Sequence, residues 1–181
     1  MTLPLLIGLY ASMPQSGKSA VANHLVNCHC FQLRPFAGPL KRMAGSLLEE
    51  LGFAPAVVTS MMRGDKTEKV FADVTLRSML QTLGTEWGRK LIDENLWETA
   101  WKNTVGDLLH HGIAVVADDV RFPNEARAIW ALGGHLWQVR RISAPAMANI
   151  HISEGQLDDF MFDRVLDNNG SLEDLYQEID Q

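Results

Sequence analysis

An apolar run from Leu3 to Leu9 leads straight into Ser12-Met13-Pro14-Gln15-Ser16-Gly17-Lys18-Ser19-Ala20. Few sequence features constrain a fold as strongly. A short buried strand, a glycine-containing loop and a helix opening near Gly-Lys-Ser make the phosphate-cradling unit of the Walker A pattern, in which four residues separate Gly from Gly-Lys-Ser/Thr. Ser12 stands at the first glycine position. The residue types follow from the chemistry. Successive backbone N–H groups turn inward around a phosphate, and the helix start adds unsatisfied N–H groups and the positive end of its dipole. Gly17 lets backbone approach without a Cβ clash. Lys18 reaches β- and γ-phosphates as a point charge, and the Ser19 hydroxyl suits Mg²⁺. The expected ATP-binding set is Ser12 through Ala20.

The rest of the chain reads as alternating strands and helices. Phe31 to Phe36 suggests a second strand, and Pro39 opens a helix with an apolar face of Leu40, Met43, Leu47 and Leu48, ended by Gly52. Ala54 to Asp73 reads as a loop with short helices, and Thr75 to His111 as helix broken at Gly84 and Asn95. Ile113 to Ala117 is an uninterrupted apolar run, the mark of a strand buried on both faces in a parallel sheet. Pro123 starts a helix through Leu132. Leu136 to Val139 and Val165 to Leu166 read as strands, and Ser171 with Asp174 forms a capping box for the closing helix. The expected architecture is α/β: one three-layer P-loop NTPase domain over residues 1–181. It has a central parallel sheet, a helical acceptor-binding segment at 37–111 and a lid at 140–157.

The run Ile113 to Ala117 delivers Asp118 and Asp119 to a strand's carboxyl end, where open α/β sheets collect ligands. Strand alternation turns the two acids opposite ways. Asp119 is the favoured Mg²⁺ ligand beside Ser19, because Arg121 follows it on the same side. The competing reading is a pair of solvated acids capping the next helix.

Composition narrows the function classes. The chain has 181 residues, 46% of them hydrophobic, and a formal net charge of -6. An acidic chain is a poor non-specific nucleic-acid binder, since that binding depends on Lys and Arg neutralising phosphates. No apolar stretch nears the roughly 20 residues that span a bilayer, so no membrane partner is expected. The apolar start lacks the basic leader and cleavage site of a signal peptide. Two cysteines, Cys28 and Cys30, cannot form a disulfide framework. With His24 and His29 they hint at a metal, but no second Cys/His pair lies at zinc-site spacing, and an ordinary helix end is the stronger reading. A soluble, cytoplasmic protein is expected, and a homodimer is compatible with common symmetry.

Several segments together resemble a known family: Phe36-Ala-Gly-Pro39-Leu-Lys41, Thr75 to Arg89 with Leu96-Trp97, Asp119-Val-Arg121-Phe-Pro-Asn124-Glu125, and Asn168-Asn169-Gly170-Ser-Leu-Glu-Asp-Leu. They are similar to the deoxynucleoside monophosphate kinases of bacteriophages and prophages, most specifically between Arg77 and Trp97. The resemblance implies phosphoryl transfer from ATP to a deoxynucleoside monophosphate with Mg²⁺, in the host-cell cytoplasm if the protein is phage-encoded. It places Arg77, Gln81 and Arg89 on the acceptor side with Lys41 near it, Arg140 and Arg141 where a lid supplies cations, His151 to Glu154 at the lid's far end, and Asn169 and Gly170 near the adenine. From residue chemistry, Lys18, Asp119, Arg140 and Arg141 are the expected catalytic groups, and Trp97, Asp119 and Arg121 join the expected acceptor-binding set. The sequence departs from the family at Ser12 and at Ser19-Ala20, where many relatives carry Asp-Thr.

Residue chemistry alone leaves alternatives open. Arg77 and Gln81 share a helical face, as a phosphate-and-base site or as an ordinary solvated surface. Trp97 suits core packing or base stacking. Rival functions are a phosphomevalonate- or dephospho-coenzyme A kinase-like enzyme, and a module that binds ATP without transferring phosphate.

Overall fold

The computed structural model describes residues 3–64, 66–141 and 157–181. In chain order the elements are β1 (Leu6–Tyr10), α1 (Lys18–His29), β2 (Gln32–Leu33), α2 (Gly38–Glu50), α3 (Pro55–Arg63), β3 (Lys69–Phe71) and β4 (Val74–Thr75). Then come α4 (Leu76–Gln81), a π-helical segment Thr82–Ile92, α5 (Leu96–His110), β5 (Val115–Ala117), α6 (Pro123–Ala131), β6 (His135–Arg140), β7 (Arg164–Asp167) and α7 (Leu172–Asp180). The chain forms two compact units, Met1–Phe36 with Lys102–Gln181, and Ala37–Trp101.

The first unit holds a five-stranded parallel sheet in the order β2-β5-β1-β6-β7. All five residues of β1 are buried, as a strand flanked on both edges and covered on both faces must be. Alternation divides those faces. Ile7 and Leu9 pack with Val21 and Leu25 of α1 and Leu175 and Ile179 of α7. Gly8 points the other way, where an added Cβ would lie 2.9 Å from Ile129 of α6. Helices therefore cover both sides, giving the three-layer α/β architecture. The strand begins three residues later than the apolar run suggests. Pairing with β5 starts at Leu6, and Leu5 is left exposed.

Because the strands are parallel, their carboxyl ends share one edge. The β1 loop, Asp118 and Asp119 after β5, Arg140 ending β6, and Asn168 after β7 all lie there. Arg140 thus closes a strand, where the sequence expected the lid to begin. The rest of that segment, 142–156, including His151 to Glu154, lies outside the described residues.

The second unit is built on α2, α3 and α4, which bury Ala44, Leu48, Val58, Met61, Leu76 and Leu80 together. The expected apolar face of α2 is displaced: Met43 and Leu47 are exposed, and Ala44, Gly45 and Leu48 are buried. Close approach of α3 explains this, since a Cβ on Gly45 would sit 3.4 Å from Val58. Small residues, which a hydrophobicity pattern underweights, occupy the contact. Gly84 does not break the helix as expected. It lies inside the π-helical segment, and its carbonyl accepts the Trp97 indole N–H at 2.9 Å. The break comes at Asp93, whose side chain accepts the Asn95 N–H.

The π-helical segment has a geometric effect. In an α-helix a step of four residues overshoots one 3.6-residue turn, whereas in the wider i→i+5 turn it undershoots. The two drifts offset, so four-residue rows run nearly straight from α4 onward. Leu76, Leu80, Gly84 and Gly88 are accordingly all buried. The adjacent row holds Arg77, Gln81 and Arg89. No helix among the described residues is long and apolar enough to cross a membrane.

Gly88 is packed under Trp97, with a Cβ there falling 2.5 Å from the indole nitrogen and 2.8 Å from two ring carbons. Gly→Ala in a helix ordinarily gains roughly 0.5–1 kcal/mol. Here the rigid, buried indole cannot give way, and overpacking costs about 1–3 kcal/mol. Gly88→Ala is expected to lower the urea midpoint, and a midpoint at or above wild type would refute this packing.

Candidate active site

The loop after β1 is held by three sets of contacts. At its entry, the Tyr10 and Ser12 hydroxyls both donate to Asp158 Oδ1, each at 2.6 Å. Within it, Ser16 is buried and its hydroxyl donates to the Met13 carbonyl at 2.5 Å. At its exit, the buried Asn168 side chain donates from Nδ2 to the Ser16 carbonyl at 2.9 Å. Left-handed backbone occurs in the loop at Gln15 (φ 60°) and Gly17 (φ 106°), and Ser12 is not among such residues. Serine is therefore tolerated at the first loop position without left-handed strain, and its hydroxyl gains a partner that glycine could not offer. Gly17 is required twice over, by its φ and because an added Cβ would lie 2.3 Å from Asn168 Nδ2.

Helix α1 opens immediately after Gly17, whose carbonyl accepts the N–H groups of Ala20 and Val21. The N-cap residue Gly17 supplies no side-chain cap, and the first turn of the helix carries no acid. The positive end of the helix dipole is thus left for an external anion. Lys18 is half-buried here; Ser19 is exposed.

Beside the loop, β5 pairs with β1 up to Ala117 opposite Gly8, then releases Asp118 and Asp119. Asp119 Oδ1 accepts the Phe36 N–H at 2.7 Å, which ties the end of β5 to the chain leaving β2. Buried Glu125 accepts the N–H groups of Arg121 and Phe122, so the turn carrying Arg121 is held while its side chain stays exposed. Arg140 Nε lies 3.3 Å from Asp167 Oδ1, a pairing across β6 and β7, and Arg141 is exposed just beyond. Asn169 and Gly170 are exposed in the turn between β7 and α7.

In the second unit, Lys41 is half-buried in the first turn of α2. Arg77 and Gln81 are exposed on the row described above, and Arg89 is half-buried. Trp97 is a correction. It is 7% exposed, with its indole edge bonded to Gly84 and its ring against Gly88. Burial makes it a packing residue and leaves no face for stacking on a base. Trp87, whose ring centroid is 6.2 Å away, keeps the exposed indole.

Sequence reasoning missed two residues. Asn168 sits one position before the expected Asn169-Gly170 pair, so its segment was visible although its bond to Ser16 was not. Asp158 had no signal, because it lies 146 residues from Ser12 and follows no motif.

The model of the family described as deoxynucleotide monophosphate kinase matches residues 55–179, more than half of the chain. The chain belongs to that family. A protein of Acanthamoeba polyphaga mimivirus, named "Putative deoxynucleotide monophosphate kinase", is 31% identical over 192 residues, covering 97% of this chain and 94% of its own. The phosphate loop precedes the family match but lies within a chain almost wholly covered by this relative. A solved dephospho-CoA kinase from Campylobacter jejuni aligns over 96% of this chain and 92% of its own, at 15% identity and a TM-score of 0.49. As a kinase of this family the protein is a phosphotransferase with a nucleotide substrate. ATP is the implied co-substrate and Mg²⁺ the usual ion. The donor set at the carboxyl edge, a hydroxyl on Ser19 and carboxylates on Asp118 and Asp119, is all hard oxygen and fits Mg²⁺.

Two predictions follow from the loop contacts. Asn168→Ala leaves the Ser16 carbonyl without its amide donor in a buried place, a loss of about 1–3 kcal/mol. Weaker ATP binding by about tenfold is expected by calorimetry, together with a lower unfolding midpoint; unchanged values for both would show the bond to be dispensable. Burial, and then the hydrogen bond to Asp158, push Tyr10 from 10.0 up to about 12. The fold thus favours the neutral phenol. This contribution is complete below pH 10 and is lost as pH rises toward 12. The stability gap between wild type and Tyr10→Phe should close over that window; a gap constant from pH 9 to 12 would contradict it.

Proposed function

We propose that the protein transfers the γ-phosphoryl group of ATP to a deoxynucleoside monophosphate, giving ADP and the deoxynucleoside diphosphate. The observation that carries this reading is the loop itself. Left-handed Gly17, fastened through the Asn168–Ser16 bond, opens an α1 terminus whose first turn carries no acid. Such a terminus, behind a Gly-Lys-Ser loop, suits a phosphate group.

In this reading the loop residues Ser12 to Ala20 bind the triphosphate, with Lys18 neutralising charge on the β- and γ-phosphates. Asn169 and Gly170 border the adenine. The Arg77–Gln81–Arg89 row serves the acceptor. A guanidinium fork matches a monophosphate dianion and a side-chain amide matches a base edge. Lys41 and Arg121 add charge for the same acceptor. An acceptor phosphate oxygen attacks the γ-phosphorus, the bond to the β,γ-bridging oxygen breaks, and ADP departs with that electron pair. The attacking oxygen is already an anion, so no strong general base is needed. Arg141, with Arg140 where its pairing to Asp167 allows, stabilises charge on the group in flight. Ser19 and Asp119 would hold Mg²⁺, which when bound offsets charge on the β- and γ-oxygens.

The test is ADP release over dTMP, dGMP, dAMP, dCMP, mevalonate phosphate and dephospho-coenzyme A. Turnover with at least one deoxynucleotide, and none with the last two, is expected. Loss of one transition-state donor costs about 3 kcal/mol. Lys18→Ala should therefore reduce turnover by roughly two decades while keeping the wild-type circular dichroism spectrum. Activity confined to a non-nucleotide acceptor, or wild-type turnover without Lys18, would overturn the proposal.

A further inference from the structure

Far from the phosphate loop, two imidazoles and a carboxylate converge. His24 and His29 of α1 direct Nε2 at the same atom, Asp180 Oδ1 of α7, at 2.9 Å and 2.8 Å. The three potential ligand atoms lie within 4.8 Å of one another. Along α1, His24 lies about 9 Å and His29 about 16 Å from Lys18 at the loop end, at 1.5 Å per residue. The reaction proposed above makes no use of it.

We propose that His24, His29 and Asp180 form a binding site for one divalent transition-metal ion of the zinc class, joining the C-terminal ends of α1 and α7. The donor chemistry selects that class. Two imidazole nitrogens and one carboxylate suit Zn²⁺, Co²⁺, Ni²⁺ or Cu²⁺, whereas Mg²⁺ and Ca²⁺ prefer oxygen. The spacing suits it too. Ligands about 2.0–2.1 Å from a tetrahedral ion stand about 3.3 Å apart. The present contacts to Asp180 are shorter than that by roughly half an ångström, a difference that rotation of its half-exposed side chain would supply. Each neutral imidazole would bind the ion through its Nε2 lone pair with its proton on Nδ1, and solvent would complete the fourth position.

Two further observations favour a cation here. His29 is the last residue of α1 and Asp180 the last of α7. Both helices present the negative ends of their dipoles, which attract a cation and disfavour an isolated carboxylate at the position of Asp180. The histidines are also held in place before any ion arrives. The His24 side chain is 9% exposed, and its ring stacks on Tyr176, one turn before Asp180, at 4.3 Å and 8°. Left-handed Cys30 (φ 59°) ends α1 directly after His29. Ordered ligands of this kind lower the entropic cost of closing a site.

The consequence is structural. The near end of α1 carries the phosphate loop, and α7 follows the turn whose Asn168 fastens that loop. An ion joining the far ends of both helices stabilises the layer behind the loop without touching substrate.

The test uses the full chain, stripped of metal and free of nucleotide. Zn²⁺ is titrated in competition with a chromophoric chelator, and Co²⁺ is followed by its visible absorption. One ion per chain is expected, unaffected by millimolar Mg²⁺. Zn²⁺ at 100 times its dissociation constant should raise Tm by about 5–10 °C. Asp180→Ala, a change at an exposed helix end, and His24→Gln should each weaken Zn²⁺ binding at least tenfold. The double variant Cys28→Ser, Cys30→Ser and the variant Asp119→Asn should bind as wild type does. No binding at tens of micromolar, binding unchanged in Asp180→Ala, or binding abolished by loss of the cysteines or of Asp119 would each overturn the assignment.

Discussion

The amide of Asn168 reaches the Ser16 carbonyl in a place where neither group meets water, and the geometry of the phosphate loop depends on that bond. It joins the end of β7, an edge strand, to the loop leaving β1, with β6 between them. Position 17 must then be glycine, because any side chain there would occupy the volume of the amide. A glycine in left-handed conformation in turn directs the chain into α1 with its first N–H groups outward. The sheet supplies the remaining precision. β1 is paired on both sides and covered on both faces, so the loop starts from the central strand of its sheet. Rigid support of this kind is what positioning catalysis requires, because phosphoryl transfer asks for alignment and charge more than for covalent chemistry.

In the second unit, alignment comes from a helix of unusual pitch. Had α4 continued as an α-helix to Ile92, the row from Arg77 to Arg89 would have wound round the axis, and Gly84 and Gly88 could not both have stayed buried with Leu76 and Leu80. The π-helical turns straighten the row, and Gly88 leaves room for the Trp97 ring. The wider turn has weaker intrinsic stability. The Trp97 indole therefore matters as a clamp, bonded to one glycine carbonyl and packed over the other glycine. Its burial has a functional consequence: a large aromatic in a nucleotide-binding family is easily read as a base platform, and here it holds up the helix that carries the polar row.

These cases show where the sequence was legible. Period and punctuation were enough for the buried run ending at Ala117, the Pro123 helix start, the Val165–Leu166 strand and the Ser171 capping box, because each depends on contacts within a few residues. The α2 face was misread because small residues at a close helix contact carry little hydrophobic signal, and Met43 and Leu47 carry much. Gly84 was misread as a breaker because its close neighbour is the Leu40 side chain, 3.0 Å from where a Cβ would stand and more than forty residues back in the chain. Asn168 and Asp158 meet the phosphate loop across roughly 150 residues of chain, a distance at which no local pattern operates.

Ser12 shows how such long-range contacts rewrite a motif. The first loop glycine of the general pattern answers a demand for conformational freedom. In this chain the demand for left-handed backbone falls on Gln15 and Gly17 instead. With Ser12 released from it, a hydroxyl becomes affordable and useful. It shares Asp158 with Tyr10, whose phenol also donates to that carboxylate. Two hydroxyl donors on one carboxylate oxygen fasten the loop's entry to Asp158. A motif mismatch of this kind is better judged by what the substituted side chain bonds to than by the letter it replaces.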